Sequence, residues 1–111
     1  MTDVEKAQVP PASSCVYDNA SKHQFELESE GERAVAIYSL AEGVITFLHT
    51  LVPDALRGRG IATRLVQAGL ASARQRGLLV VPKCPVFAAY MRAHHETHDL
   101  LADEGRALLG L

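Results

Sequence analysis

The chain has 111 residues, 48% of them hydrophobic and 22% charged, with a formal net charge of −2. That length builds one modest core, and the charge balance gives no electrostatic footprint for nucleic acid. No apolar run approaches the roughly 18 residues of a membrane span, and Met1-Thr2-Asp3-Val4-Glu5-Lys6 has neither the basic region nor the apolar stretch of a secretion signal. Cys15 and Cys84 lie far apart and match no metal-ligand spacing, so the expected compartment is a reducing cytoplasm, with no membrane and no nucleic acid as partner.

Residues 1–14 are polar, carry Pro10-Pro11 and Ser13-Ser14, and show no period; a flexible N-terminal tail is expected there, followed by one domain over 15–111. From His23 to Ser29, Phe25 and Leu27 alternate with Gln24, Glu26 and Glu28, which predicts a half-exposed strand. Glu30-Gly31-Glu32 predicts a turn, Ala34 to Leu40 a second strand, and Ala41-Glu42-Gly43 another turn. Val44 to Val52 is apolar at both parities, as in a central strand covered on both faces. Short turns between the three strands make an antiparallel meander.

After Pro53-Asp54 the period becomes helical. Ile61, Leu65 and Gly69, with Ala62, Val66, Leu70 and Ala73, form one broad stripe. Arg74 and Arg76 suit the negative end of that helix, and Gly77 suits its left-handed terminator. Leu78 to Val81 predicts a short strand. Pro85 predicts the first turn of a second helix, packed through Val86, Phe87, Tyr90 and Ala93. A last helical segment is predicted from about Asp99 to Leu109. A strand-helix-strand unit in one sheet crosses over right-handed with parallel strands. The expected fold is therefore α/β (α+β): a mixed sheet of an antiparallel meander plus one parallel crossover strand, with two to three helices.

Between the central strand and the first helix lies Arg57-Gly58-Arg59-Gly60-Ile61-Ala62-Thr63. Glycines there let a backbone approach a ligand closely. The first helical N–H groups have no intrahelical partner and favour an anion. Arg57 and Arg59 add cations suited to phosphate oxygens. The plainer reading is a helix start with solvent-facing arginines, but two glycines, two arginines and a strand-to-helix context together favour phosphate. A P-loop would require Gly-Lys-Ser/Thr, which is absent. A dinucleotide fingerprint ends in Gly or Ala where this chain has Thr63, and Leu79 to Lys83 contains no ribose-binding acid.

Arg57-x-x-Gly60-x-Ala62 is similar to the Arg/Gln-x-x-Gly-x-Gly/Ala signature of the GNAT acetyltransferase superfamily. Wider similarity, over roughly Tyr17 to Leu101, is to a compact Cys/Gly-containing branch. It rests on His49-Thr50-Leu51-Val52-Pro53, the glycine loop, Pro82-Lys83-Cys84-Pro85 and His94-His95-Glu96 followed by Asp99-Leu100. The resemblance implies a minimal GNAT-like fold whose loop N–H groups, over Arg57, Gly58, Arg59, Gly60, Ile61, Ala62 and Thr63, hold the pyrophosphate of acetyl-coenzyme A. It also implies a pantetheine arm between two splayed strands, bonded to backbone at Leu51 and Val52. The chain departs from ordinary members of the superfamily. About 30 residues separate Val16 from the central strand, too few for the usual helix pair at the acceptor site, and Cys84-Pro85-Val86-Phe87-Ala88-Ala89-Tyr90 replaces the usual Asn-x-x-Ala run.

Three residues are candidates for chemistry. Cys84 follows a strand and precedes Pro85, so it is expected at a helix N-cap beside Lys83, a setting that favours thiolate. There it could receive the acyl group or protonate the departing coenzyme thiolate; the alternative is a small buried cysteine. Tyr90 lies near where the superfamily carries a proton-donating tyrosine, yet a tyrosine on an apolar helix face is first a core residue. His49 alternates with Phe47 and Leu51, which predicts a packed face, as a general base for an amine or as a hydrogen-bonded core histidine. His94 and His98 flank Glu96 without a third partner and do not match His-Glu-x-x-His, so no metal is expected. The expected function is acetyl-coenzyme-A-dependent N-acyl transfer to an unidentified amine or thiol. The alternatives are a non-enzymatic coenzyme-A-binding or sensing module, and an interaction domain whose loop binds incidental anions. The acceptor and the oligomeric state are not encoded in any motif.

Overall fold

The computed structural model describes residues 16–111. The expected tail, residues 1–14, lies outside the described residues, as does Cys15. Among these residues, five strands form one sheet in chain order: β1 (Val16–Asn19), β2 (Gln24–Ser29), β3 (Glu32–Ala41), β4 (Val44–Leu51) and β5 (Leu79–Pro82). Neighbours are antiparallel from β1 to β4, whereas β4 and β5 are parallel and joined through helix α1 (Ile61–Arg76). Helices α2 (Pro85–Ala93) and α3 (Asp103–Leu109) follow. The meander-plus-crossover sheet expected from the periodicities is the one observed.

The two hairpin turns, Glu30-Gly31 and Glu42-Gly43, have positive φ at both residues (53° and 78°, 52° and 80°). Two-residue turns of that hand match the twist of the flanking strands. They fix the register that sends Phe25, Leu27, Ala34, Ala36, Tyr38, Ile45 and Phe47 into the core. Helix α1 covers that face with Ile61, Leu65, Val66, Gly69, Leu70 and Ala73. Phe47 stacks on Phe87 of α2, ring centroids 4.0 Å apart, and Gly69 lies against the same pair. Gly77 ends α1 in the left-handed conformation, with Leu78 N–H donating to the Ala73 carbonyl at 2.9 Å.

Several expectations are corrected. Strand β1 was not expected, because one of its two inward positions is Asp18. That carboxylate is held by the Tyr38 hydroxyl, which donates at 2.6 Å, and by Arg76 at 3.6 Å. Strand β4 is not buried on both faces: Ile45 and Phe47 are buried, while Thr46 and Leu48 on either side of Phe47 are half-buried. The last segment is not one helix. A 3-10 stretch (His95–Leu100) leads to Leu101, which bridges Val80 in parallel, and only then does α3 begin. Arg74 fixes that stretch by a bidentate pair to Asp99, at 2.7 and 3.0 Å, and a bond to the Glu96 carbonyl. No helix among the described residues is long and apolar enough to cross a membrane.

Candidate functional site

Strand β4 carries a bulge. Ile37 pairs with His49 and Tyr38 with Phe47, so Leu48 is the extra residue. The insertion reverses side-chain parity. Thr50 then shares the inward face with Ala36, and His49 lies on the opposite face with Ile37, exposed to solvent. The packed setting expected for His49 is corrected by this one residue. Pairing of β4 with β5 ends at Phe47 opposite Pro82, where β5 itself ends and the chain turns toward α2, so β4 runs on alone beyond this fork.

Cys84 stands at the fork. Its N–H donates to the Phe47 carbonyl at 2.9 Å, its backbone is extended (φ −71°, ψ 130°), and Pro85 opens α2 behind it. The expected N-cap position is the observed one, but the thiol does not cap the helix. It is 1% exposed, and Sγ lies 3.2 Å from Thr50 Oγ1. Lys83 is directed to Glu104, 3.5 Å away. Thr50 was missed as a candidate because its inward parity depends on the bulge; its only sequence signal is its place in His49-Thr50-Leu51-Val52-Pro53.

The loop after β4 begins with a 3-10 turn (Asp54–Leu56) and reaches α1 through Gly58 and Gly60, at φ 80° and 72°. A side chain at either position would be strained, which explains the glycines. Gly60 is the N-cap of α1; no side chain caps the helix, and its first turn holds no acidic residue. The positive end of a four-turn helix is thus open to an anion. A cavity of about 370 Å³ lies there, lined by Val52, Leu56, Arg57, Gly58, Gly60, Ile61, Ala62 and Thr63. Of the expected loop contacts, Leu51 and Arg59 do not line it. Arg57 Nε pairs with Asp54 at 2.9 Å, both side chains exposed. Arg59 turns to the β2–β3 hairpin and pairs with Glu30, whose carboxyl the guanidinium holds below the usual carboxylate range.

Thr63 also lines a second groove of about 510 Å³, with Val66 of α1 and Pro85, Val86, Ala89 and Tyr90 of α2. Tyr90 is half-buried against the core edge and stacks on His94, centroids 3.8 Å apart. Among the described residues its hydroxyl has only a long contact, 3.5 Å, from Gln67 Nε2. His94 Nδ1 and His98 Nε2 each lie 2.7 Å from a carbonyl of the last turn of α2, those of Tyr90 and Met91. These two histidines finish a helix end.

The described residues form a mixed sheet whose parallel crossover presents an uncapped helix N-terminus, beside a cavity, at the β4–α1 corner. The sequence model described as GCN5-related N-acetyl-transferase matches residues 24–100, and the chain belongs to that family. Among curated proteins it is similar to Protein NATD1 of Xenopus tropicalis, 38% identical over 64 residues, covering 55% of this chain and 59% of that one. It is likewise similar to Protein NATD1 of Mus musculus, 40% identical over 58 residues (50% and 53% covered), and of Homo sapiens, 42% over 52 residues (44% and 46%). The chain spans about half the length of these relatives.

Proposed function

We propose that the chain is an N-acyltransferase that takes its acyl group from acetyl-coenzyme A. One observation carries the reading: Val52, Arg57, Gly58, Gly60, Ile61, Ala62 and Thr63 line a single cavity at an uncapped helix N-terminus. Backbone N–H groups at Gly60 to Thr63, with Arg57, would bind the pyrophosphate. The unpaired edge of β4 beyond Phe47, at Leu51 and Val52, would orient the pantetheine arm, and the α1–α2 groove past Thr63 and Tyr90 supports a path for it. When bound, acetyl-coenzyme A supplies an activated acetyl thioester that an amine displaces. At the fork, the Cys84 thiol is the protein group that would hand a proton to the leaving sulfur, or take the acetyl group itself, with Thr50 Oγ1 steering it. His49, exposed on the opposite face, would accept the proton of an approaching amine.

A second reading has its own support. Cys84 is 1% exposed, which suits a coenzyme-A-binding module without transfer. The binding reading is tested by titrating acetyl-coenzyme A into the wild type and Gly60→Asp. The variant sets a carboxylate against the phosphates and is expected to weaken binding at least tenfold, about 1.4 kcal/mol. Equal affinities would remove the loop from the site. Intact mass after incubation with acetyl-coenzyme A then separates the two readings. An acetyl adduct lost in Cys84→Ser, or transfer to a panel of amines, supports the enzyme; neither one supports the module.

A further inference from the structure

Arg59 is the loop residue whose placement differs from the rest. It lies between Gly58 and Gly60, the two residues with left-handed backbones, yet it is absent from the cavity that both of them line. It lines a neighbouring pocket of about 200 Å³ with Leu27, Ser29, Ile61 and Arg64, and its guanidinium is engaged by Glu30 at the tip of the β2–β3 hairpin. Glu30 itself is locked in a tight turn whose strands are in full register from Gln24–Ile37 to Ser29–Glu32. The ion pair therefore joins the residue between the two loop glycines to a tightly registered hairpin 29 residues away in sequence.

We infer that Arg59 is a positioning residue rather than a phosphate ligand: through Glu30 it holds Gly58 and Gly60 in the conformation that aims the loop N–H groups at the pyrophosphate. This rests on the coenzyme reading given above. A loop ordered before binding loses less entropy when the ligand arrives, so breaking the tie weakens affinity without removing a contact. Both partners are about half-exposed, and exposed pairs have small effects, so about a threefold to fivefold loss is expected.

The test measures the dissociation constant of coenzyme A for the full chain as wild type, Glu30→Gln, Arg59→Gln, and the swapped pair Glu30→Arg with Arg59→Glu. Each single variant should lose about threefold to fivefold with the thermal midpoint of the free protein unchanged, and the swap should recover most of the loss. A direct phosphate contact predicts the opposite for the swap, since it puts a carboxylate in the loop; failure of the swap to recover overturns the inference. So do single variants that bind as the wild type does. A wild type that does not bind coenzyme A at all overturns the underlying reading, which is a different result from either.

Discussion

Glu26 sits on the polar side of β2, where alternation predicts solvent, yet only 1% of its surface is exposed. The Tyr17 hydroxyl donates to Oε1 at 2.7 Å, Asn19 and Gln24 amides donate to Oε2, and Arg33 Nε lies 3.7 Å away. A buried carboxylate needs such partners to stay charged. Those bonds, led by the one from Tyr17, hold Glu26 below its ordinary 4.5. The same bond pushes Tyr17 up to about 12, and burial followed by the bond to Asp18 pushes Tyr38 up to about 12. In the unfolded chain these tyrosines ionise near pH 10, so between pH 10 and 12 the folded chain keeps protons that the unfolded chain loses. Their stabilisation is complete below pH 10 and is lost toward pH 12. Urea denaturation across that range should show a fall on the order of 2 kcal/mol for Tyr38, smaller for Tyr17 because it is 47% exposed. Tyr17→Phe and Tyr38→Phe should each flatten part of the slope; an unchanged slope in both variants would refute the assignment. On the acid side the contribution of Glu26 is present above pH 4.5 and disappears as pH falls through its depressed folded value.

At the scale of elements, α1 ties the core to the site, because it starts at the glycine loop and rests on Phe47 and Phe87. A Cβ on Gly69 would come within 2.9 Å of the Phe47 ring and 3.2 Å of Phe87. In an open helix, Gly→Ala stabilises by roughly 0.5–1 kcal/mol. Here both stacked rings are fully buried, and overpacking of that kind costs about 1–3 kcal/mol. Gly69→Ala is therefore expected to destabilise by about 1–2 kcal/mol in urea denaturation; a gain in stability would mean that the rings relax freely. Gly69 falls on the apolar stripe of α1, so the helix and its buried face were legible in the 3.6-residue period. So were the hairpins, from their Glu-Gly turns, and the crossover, from element order. The glycine loop of the candidate site was legible as backbone: glycines before a helix announce themselves. It was not legible where it depends on register. The bulge at Leu48 exchanged the faces of His49 and Thr50, and no side-chain pattern marks an extra residue in a run of apolar ones. Strand β1 was hidden because an aspartate occupies an inward position that Tyr38 and Arg76 satisfy, a partnership that exists only after folding.

Across the whole molecule, the proposed site joins the free edge of β4 and the loop at residues 57–63 that follows it to the start of α2 at Cys84 and Pro85, which lies beyond the whole of α1 and β5 in sequence. Each is held by a different part of the core, so a ligand spanning them links their stabilities. A ligand at 100 times its dissociation constant adds about 2.7 kcal/mol to folding, which for a domain of this size raises the melting midpoint by roughly 10 °C or more. Coenzyme A should produce that shift. Pantetheine lacks the pyrophosphate and should produce much less, because the strands alone offer backbone bonds without the helix N-terminus. Inorganic pyrophosphate reaches only the loop and should also fall short. If pyrophosphate alone matches coenzyme A, the loop is a general anion site and the β4–β5 fork plays no part in binding. If pantetheine alone matches it, the glycine loop is misassigned. Only a shift that requires both halves of the ligand agrees with a site built across the β4–α1 corner and the edge of β4 left alone beyond the end of β5.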